Sequence, residues 1–193
     1  MLPNHRLIKS KKRLKEVIKA DMARYDNGRY RLFPHTEVQI LANHNILLRK
    51  TEYYTNTHKR LFAKIYRLRL HRIQNKYGLH ISLNVFDEGL KIMHLGPVLT
   101  NGKACCGKNI TMHMNTAVVA GGRDNNAPKL GNNIILGFGS VVLGGITLAD
   151  NIAIGANALV NKSFYESDIA IAGVPAKKIS DNGSTTWNKK NND

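Results

Sequence analysis

A single histidine, His94, stands in the apolar, glycine-punctuated stretch GLKIMHLGPVL, which covers residues 89–99. An imidazole titrates close to neutral pH, so it could take a proton from a hydroxyl group that is otherwise a poor nucleophile. A histidine among apolar residues could equally be a buried packing residue. The position of His94 relative to the core therefore decides between catalysis and packing.

The elements that would position His94 follow from a repeat of six residues. Apolar residues form one row, a second row follows four residues later, and small or turn-forming residues lie between them. A strict period of six predicts a parallel β-helix, because helices give spacings of three and four and hairpin sheets give simple alternation. The first row is Leu130, Leu136, Val142, Leu148, Ile154 and Val160, and the second is Ile134, Ser140, Ile146, Ile152 and Ala158.

The same period continues upstream with weaker residues and sets the position of His94. The separation from Thr116 to Leu130 exceeds two full repeats by two positions, which predicts a break of phase and a loop at 120–129. His94 lies two residues after Ile92, at a corner rather than in the inward row, and this favours a base over a packing residue. The upstream row is Phe86, Ile92, Val98, Ala104, Ile110 and Thr116.

Positive charge is concentrated in the segment 1–77, which carries 19 Lys and Arg against 5 Asp and Glu, whereas the segment 78–193 carries 10 against 8. Turn signals between Tyr25 and Asn45 leave that stretch without a clear helical pattern. We predict a basic helical segment over 1–77, a β-helix domain over 78–180 and a polar tail over 181–193 that frays. The helical spacing is carried by Leu14, Val17, Ile18 and Met22, and by Leu61, Ile65, Leu68 and Ile73.

Composition argues against several classes of protein. The basic N-terminus lacks the apolar stretch of a signal peptide, and no apolar run approaches the roughly 20 residues needed to span a bilayer. The adjacent Cys105 and Cys106 would point to opposite sides of a strand, which disfavours a disulfide. The eight histidines show no metal-ligand spacing. We expect a metal-free cytoplasmic protein that could also lie peripherally on the inner face of the membrane.

Two C-terminal motifs, IGANALVNKSF and IAGVPAKKI, resemble the signature of left-handed β-helix acyltransferases. The chain most resembles the bacterial serine O-acetyltransferases and their relatives in surface-polysaccharide gene clusters, well over residues 78–180 and loosely before them. The resemblance implies a mainly β fold, a left-handed parallel β-helix of hexapeptide repeats preceded by a short basic α-helical segment. It also implies a homotrimer that transfers an acetyl group directly from acetyl-CoA to an acceptor hydroxyl.

The same resemblance assigns roles to individual residues. His94 matches the histidine that acts as general base. Backbone groups at coil corners would hold the pantetheine of acetyl-CoA, and lysines would offset its phosphates. The cofactor-binding residues implied in this way are Phe138, Gly139, Ala156, Asn161, Lys162 and Lys177.

Departures from the family pattern concern the acceptor. Met93 stands where an aspartate usually precedes the histidine, and His80 stands approximately where another aspartate is expected. The loop has Asn126-Ala127 in place of an Arg-His pair. In the family those groups would hold the ammonium and carboxylate of an amino acid, and this chain lacks them. Two acceptors therefore stay open, serine and a sugar hydroxyl.

Other residues could support the imidazole or touch the acceptor. On a coil of three six-residue repeats, Met112 would stack over His94, with His113 beside it. Carboxylates on the preceding corner could orient the ring, although they could equally be solvated turn charges. The candidates are His113, Asp87, Glu88, Arg123 and Asp124.

Two other classes of function remain open at this point. The β-helix could be a scaffold without catalysis, a possibility that the missing aspartates support. The basic segment could bind nucleic acid, but no recognised binding motif accompanies its charge, so we expect no nucleic-acid partner. The same basic face could instead rest on an anionic membrane surface.

Overall fold

A helical segment forms the first part of the computed structural model, which describes residues 2–26, 28–122 and 125–187. Two of its helices begin at hydroxyl caps, since Ser10 accepts a hydrogen bond from the Arg13 N–H and Thr36 accepts one from the Gln39 N–H. The elements are a 3-10 turn at Asn4–Arg6, α1 at Lys11–Ala23, α2 at Glu37–Asn56 and α3 at Arg60–Tyr77.

Helix α2 begins in the stretch where the sequence shows no clear helical pattern. It is buried on nearly every side between residues 41 and 53, including the polar Asn43, His44 and Asn45. A helix buried all round shows no apolar stripe, so its periodicity does not stand out. The helical segment therefore contains one long helix, α2, that the sequence pattern does not indicate.

A parallel β-helix follows from Leu79, with three short strands in each coil (one full turn of the β-helix). The strands are β1 Leu79–His80, β2 Lys91–Ile92, β3 Val98–Thr100, β4 Cys105–Cys106, β5 Thr111–Met112, β6 Thr116–Val119, β7 Lys129–Leu130, β8 Ile135–Leu136, β9 Val141–Leu143, β10 Thr147–Leu148, β11 Ala153–Ile154, β12 Leu159–Val160, β13 Ala170–Gly173 and β14 Ala176–Ser180, followed by a short helix α4 at Ser184–Trp187. The parallel stacks are β1-β3-β6-β9-β12, β4-β7-β10 and β2-β5-β8-β11-β13, and β14 closes the third stack in antiparallel pairing.

Both predicted rows of the hexapeptide repeat lie in the core. Every member of the two rows between Leu130 and Val160 is buried, and Ser140 is the one polar side chain among them. Stacked strands are three repeats apart in sequence, as where Leu136 pairs with Ile154. The β-helix expected from the period of six is confirmed.

The position of the phase break is different from the predicted one. Ile92 pairs with Met112, two positions beyond three full repeats, whereas Thr100 pairs with Val118, which lies three repeats further on without any excess. The two additional residues therefore lie between Ile92 and Thr100, in the corner that carries His94. From Thr100 onward the period of six continues without a shift to Leu130.

The loop predicted at 120–129 leaves the coil without changing its phase. Val118 pairs with Val142, which lies four repeats further on instead of three, so this coil is longer than an ordinary one by a whole repeat. The additional residues lie between β6 and β7. A Cβ atom at Gly145 would come within 2.7 Å of the Asn126 Cβ, so the returning end of the loop packs on the next coil.

A buried charged cluster joins the helices to the first coil. Arg49 pairs with Asp21 at 2.8 Å and Glu52 at 3.1 Å, and it donates to the carbonyls of Phe86 and Asp87. Burial acts to raise the pKa of both carboxyls, and the charge of Arg49 opposes that shift. The cluster thus hydrogen-bonds to backbone groups of the first coil, which has no preceding coil to bind them.

The polar tail packs on the β-helix where it begins, although the sequence predicts that it frays. Ser184 is buried, and its N–H donates to the Asn151 carbonyl at 3.0 Å. Residues 188–193 lie outside the described part of the chain. No helix within residues 2–26, 28–122 and 125–187 has the length and apolar character that crossing a membrane requires.

Candidate active site

His94 lies at a corner of the first coil of the β-helix, immediately after β2. Its side chain is 53% exposed, so the ring does not belong to the apolar core that Ile92 enters. The corner spans residues 93–97 and is the one lengthened by two residues. The side chain is therefore accessible to a substrate on the surface of the β-helix.

A carboxylate from the helical segment contacts His94. Glu37, in the first turn of α2, places Oε2 3.3 Å from His94 Nδ1 and accepts a hydrogen bond from the Leu95 N–H at 2.6 Å on Oε1. That backbone hydrogen bond, followed by the contact with His94, lowers the pKa of Glu37. Glu37 is therefore ionised at neutral pH.

His113 is close to His94, as the sequence predicts, but the predicted register is wrong. Because the His94 corner is longer, Met112 stacks on Ile92 rather than on His94. The rings of His94 and His113 are 6.4 Å apart between centroids. Burial, and then the neighbouring His94 and Lys91, lower the pKa of His113, which favours its neutral form.

Asp87 and Glu88 do not contact His94, and the expectation that they orient the imidazole is corrected. Asp87 is buried and pairs with Arg13 at 2.7 Å, while Glu88 pairs with Arg13 and, at 2.9 Å, with Lys108. Partial burial acts to raise the pKa of Glu88, but the hydrogen bonds from Lys108 and Arg13 outweigh it and lower the pKa. Both carboxylates bind α1 to the coil.

Successive coils place Phe138 and Ala156 in line with His94. Each of the three residues lies two positions after the paired strand residues Ile92, Leu136 and Ile154, which stack through Met112. We call the line of corners that carries His94, Phe138 and Ala156 the His94 edge. Coils are about 4.8 Å apart, so the edge runs roughly 14 Å from His94 to Ala156.

Gly139 allows close stacking on this edge. Its φ is +71°, and a Cβ atom there would lie 2.1 Å from Asn157 Oδ1. The Asn157 N–H donates to the Phe138 carbonyl at 2.8 Å, so the two corners are bonded through their backbones. The exposed Phe138 side chain therefore projects from a tightly fixed turn.

The three remaining cofactor candidates lie elsewhere on the same chain. Asn161 and Lys162 follow β12 at the next corner, where the Lys162 ammonium is 5.4 Å from the centroid of the Phe164 ring. Lys177 is exposed on β14, opposite Ala172. Ala172 lies 2.8 Å from where a Cβ at Gly155 would be, so the terminal hairpin adjoins the His94 edge.

The loop candidates Arg123 and Asp124 lie outside the described residues. The loop departs from the corner between β6 and β7, whereas His94 lies between β2 and β3. Asn126 and His94 therefore occupy different corners of one chain. In the described parts of the chain, no group of three or more His, Cys, Asp or Glu side chains could hold a metal ion.

Glu37 is the site residue that sequence reasoning missed. Its partner lies 57 residues away in sequence, so no local spacing connects the two. The available signal is the T-x-x-Q pattern of Thr36 and Gln39, which is typical of a helix start. That pattern predicts the start of α2, which places Glu37 in the first turn, but it does not predict the contact with His94.

Comparisons with known proteins agree with this fold. No family model matches the chain. A serine acetyltransferase of Helicobacter pylori (strain J99) is 31% identical over 126 residues, which cover 63% of this chain and 72% of that protein. The serine acetyltransferase of Staphylococcus xylosus is 31% identical over 85 residues, 42% of this chain and 39% of that protein. The chain thus spans about two fifths of the length of such relatives.

A crystal structure of serine acetyltransferase from Brucella abortus, in complex with coenzyme A, superposes with a TM-score of 0.69. The match covers 90% of this chain and 70% of that one at 20% sequence identity. Together with the parallel stacks and buried rows, it defines a left-handed β-helix acyltransferase fold with an N-terminal helical segment. The similarity to the Helicobacter protein then identifies the chain as a member of the serine acetyltransferase family.

Proposed function

We propose that the chain is an acetyl-CoA-dependent O-acetyltransferase in which His94 is the general base. The observation that carries this proposal is the His94 edge, where an exposed imidazole and the corners of Phe138 and Ala156 lie in one line. Serine acetyltransferase has been crystallised with coenzyme A, which supports acetyl-CoA as the donor.

The proposed reaction needs one proton transfer at His94. Since Glu37 is ionised and accepts hydrogen bonds, His94 Nδ1 carries the proton and Nε2 is left with a free lone pair. Nε2 takes the proton of the acceptor hydroxyl as its oxygen attacks the thioester carbonyl of acetyl-CoA. The C–O bond of the ester forms, the C–S bond breaks, and CoA leaves as a thiolate that takes up the proton.

For the acceptor, we propose a sugar hydroxyl of a surface polysaccharide rather than the hydroxyl of free serine. Met93 and His80 supply no carboxylate for an ammonium group, and Glu37 is already engaged by the Leu95 N–H and His94. Asn126-Ala127 supplies no cation for a carboxylate. Serine remains the alternative acceptor, because the family relatives carry its name.

We also propose that the enzyme works as a homotrimer in the cytoplasm. Asn161 and Lys162 lie at a different corner from His94 within one chain. A complete acetyl-CoA site then needs the corner of a neighbouring copy against the His94 edge. Analytical ultracentrifugation tests this proposal, with three times the 21.5 kDa chain mass as the expected result; a monomer with full activity contradicts it.

The decisive experiment measures release of free CoA from acetyl-CoA with a panel of sugars and with serine. Changing His94→Ala should lower kcat/KM by about 10²–10⁴, the usual contribution of a general base. The matched control, His5→Ala, removes an exposed histidine from the 3-10 turn and should leave the rate unchanged. Unchanged transfer in His94→Ala would sink the base assignment, and turnover with serine alone would refute the sugar acceptor.

The second candidate function, a β-helix scaffold without catalysis, is tested by the same assay. It expects no CoA release by the unaltered protein with any acceptor of the panel. Measured acetyl transfer that depends on His94 eliminates it. Binding of acetyl-CoA without any transfer of the acetyl group favours the scaffold.

A further inference from the structure

The acidic partner of His94 comes from a different part of the chain than the family pattern suggests. The two positions where the family carries aspartates near the base hold Met93 and His80. The nearby carboxylates of Asp87 and Glu88 are held by Arg13 and Lys108 instead. Among the described residues, the carboxylate that contacts the His94 ring is Glu37, on helix α2.

The geometry at Glu37 is that of a clamp across two regions. One oxygen accepts the Leu95 N–H at 2.6 Å, and the other lies 3.3 Å from His94 Nδ1. The first contact fixes the carboxylate to the backbone of the corner itself. The second then sets the orientation of the ring relative to that backbone. Helix α2 is held in turn by its cap at Thr36 and by the buried Arg49 cluster.

We propose that Glu37 is the positioning residue of His94, supplied by the helical segment in place of a carboxylate on the coil. This inference rests on the proposed function of His94. Glu37 holds the proton on Nδ1, presents Nε2 to the acceptor hydroxyl and stabilises the imidazolium that forms when the proton is taken up. It acts through His94 and does not itself touch the substrate.

The charged groups around His94 determine the sign of the pH effect. Glu37 faces the ring from α2 and His113 faces it from the adjoining corner, while Lys91 on β2 acts on His113. Glu37 favours the charged imidazolium, while a protonated His113 disfavours it. Removing the negative charge of Glu37 should therefore move the acid limb of the kcat/KM profile to lower pH, because less alkaline conditions then suffice to deprotonate His94.

The test is Glu37→Gln, which keeps the size and removes the charge. We expect kcat to fall about 10- to 100-fold, by analogy with outer-shell partners of functional histidines. The KM for acetyl-CoA should stay within about twofold, and the acid limb should shift to lower pH. Glu37→Asp, which keeps the charge, should retain more of the rate. Glu16→Gln, an exposed glutamate on α1, is the matched control and should behave like the unaltered protein.

The outcomes separate this inference from the proposed function. If His94→Ala is inactive while Glu37→Gln keeps both the rate and the pH profile, the positioning role is wrong and the base assignment stands. If His94→Ala is fully active, the proposed function itself fails. NMR titration of the His94 ring, with and without Glu37→Gln, gives a reading that does not depend on activity, and an unchanged ring titration overturns the inference.

A second inference rests on an independent observation, the outer face of α3. The inner face of this helix packs through Leu70 and Gln74, which are buried. On the opposite side, four large apolar side chains are exposed to solvent. They are Leu61 at 69%, Phe62 at 49%, Ile65 at 38% and Leu68 at 57% exposure, and we call them the α3 outer face.

Cations surround the α3 outer face without acidic partners. Helix α3 contains no Asp or Glu, and its Arg and Lys side chains form no ion pair within the residues that the structure describes. A groove of about 340 Å³ beside Leu68 is lined by Arg60, Lys64, Arg67 and His71. The cations of the helix are Arg60, Lys64, Arg67, Arg69, Arg72 and Lys76.

We infer that the α3 outer face binds the surface of an anionic bilayer. An apolar stripe flanked by Lys and Arg is the pattern of a helix that lies in the membrane interface, with cations at the phosphate groups and apolar side chains below them. A second copy of the chain fits this face less well, since it would bring the six cations of one helix against the six of another. Charge complementarity therefore selects the lipid surface.

Flotation with vesicles tests this inference. The protein should bind vesicles of mixed phosphatidylglycerol and phosphatidylcholine, and binding to pure phosphatidylcholine should be at least tenfold weaker. Ile65→Gln with Leu68→Gln should lower binding to the anionic vesicles about tenfold or more. The control, Ile179→Gln, removes a similarly exposed apolar side chain from β14 and should change nothing.

Three results overturn this assignment. One is the absence of binding to anionic vesicles. Another is binding that survives the Ile65→Gln and Leu68→Gln changes. The third is a fall in the mass of the oligomer with the same changes, without vesicle binding by the unaltered protein, which would assign the face to a second copy.

Discussion

The helical segment and the β-helix bury very different side chains. In the coils, two rows of apolar residues fill the interior, with Ser140 as the polar exception between Leu130 and Val160. In the helical segment, Asp21, His44, Arg49 and Glu52 are all at most 2% exposed. Each coil packs against similar coils of the same chain, whereas the helices pack against the end of the stack.

The difference follows from what each region has to cover. A coil inside the stack hydrogen-bonds to the coils on both sides, but the first coil has none before it. Its backbone groups are met by side chains: Asp21 accepts from the N–H groups of Gly89 and Leu90, and Glu52 accepts from that of Asn84. Buried charge is thus the means by which non-repeating helices join a repeating domain.

The largest expected effect tests this cluster directly. Arg49→Met leaves Asp21 and Glu52 buried without their cation, and loss of one partner of a buried ion pair costs about 3–5 kcal/mol. Urea unfolding followed by circular dichroism measures the change. Adding Asp21→Asn and Glu52→Gln should recover part of the loss. A cost below about 1 kcal/mol would mean that the cluster does not hold the two regions together.

The matching change in the β-helix is Leu136→Ala. Leu136 is fully buried in the first row, and truncation of a buried leucine costs about 2–5 kcal/mol because a cavity remains. The same unfolding measurement applies. Tyr165→Ala, at a side chain that is 79% exposed, should cost far less. Equal costs at the two positions would contradict the importance of the inward row.

A smaller effect, dependent on pH, is expected from His44. Burial first, and then the positive charge of Arg49, lower the pKa of His44 to about 4, against about 6.5 in the unfolded chain. Between pH 6.5 and pH 4, His44 binds a proton in the unfolded state but not in the folded state. The contribution of neutral His44 to stability is therefore fully present above pH 6.5 and declines as the pH falls towards 4. The decline should amount to about 3 kcal/mol, at 1.36 kcal/mol per pKa unit.

His44→Leu removes the titrating ring and should flatten this part of the stability profile. The measurement is the free energy of unfolding at several pH values between 4 and 7. Comparison of slopes, rather than of absolute stabilities, separates the proton effect from any repacking. An identical slope in His44→Leu would assign the acid sensitivity to other groups.

The smallest expected effect comes from a pair of helix caps. Thr36→Ala and Ser10→Ala each remove an N-cap hydroxyl, with a typical cost of about 1 kcal/mol. The proposed role of Glu37 predicts a difference in catalysis, because Thr36 precedes Glu37 and Ser10 does not contact the site. CoA release should fall in Thr36→Ala and stay level in Ser10→Ala. A fall in both would point to general loosening.

Residue periodicity predicts the β-helix well because each coil repeats the same contacts. The rows from Leu130 to Val160 and the exposed corner position of His94 both follow from the period of six. The period does not reveal where extra residues enter, since Ala104, Ile110 and Thr116 are also buried and imitate the first row. The sequence therefore places the break in the loop, although it lies at the His94 corner.

The candidate site is predicted less completely because its parts come from distant regions. His94, Phe138 and Ala156 share one edge, and the family resemblance names them. Glu37 reaches His94 through the packing of α2, a helix whose burial on all sides hides its own pattern. Long-range contacts of this kind depend on how two regions dock, and local sequence spacing carries no record of it.

Tyr25 and Asn45 have a consequence for self-association. The Tyr25 hydroxyl accepts from the Ile92 N–H at 2.6 Å and donates to the Ile92 carbonyl, and Asn45 donates to the Leu90 carbonyl at 2.9 Å. These bonds occupy the open edge of β2, where the strand of another molecule could otherwise add. The helical segment thereby occupies the hydrogen-bonding groups at this end of the stack. Without it, the β-helix would present a template for aggregation into fibres.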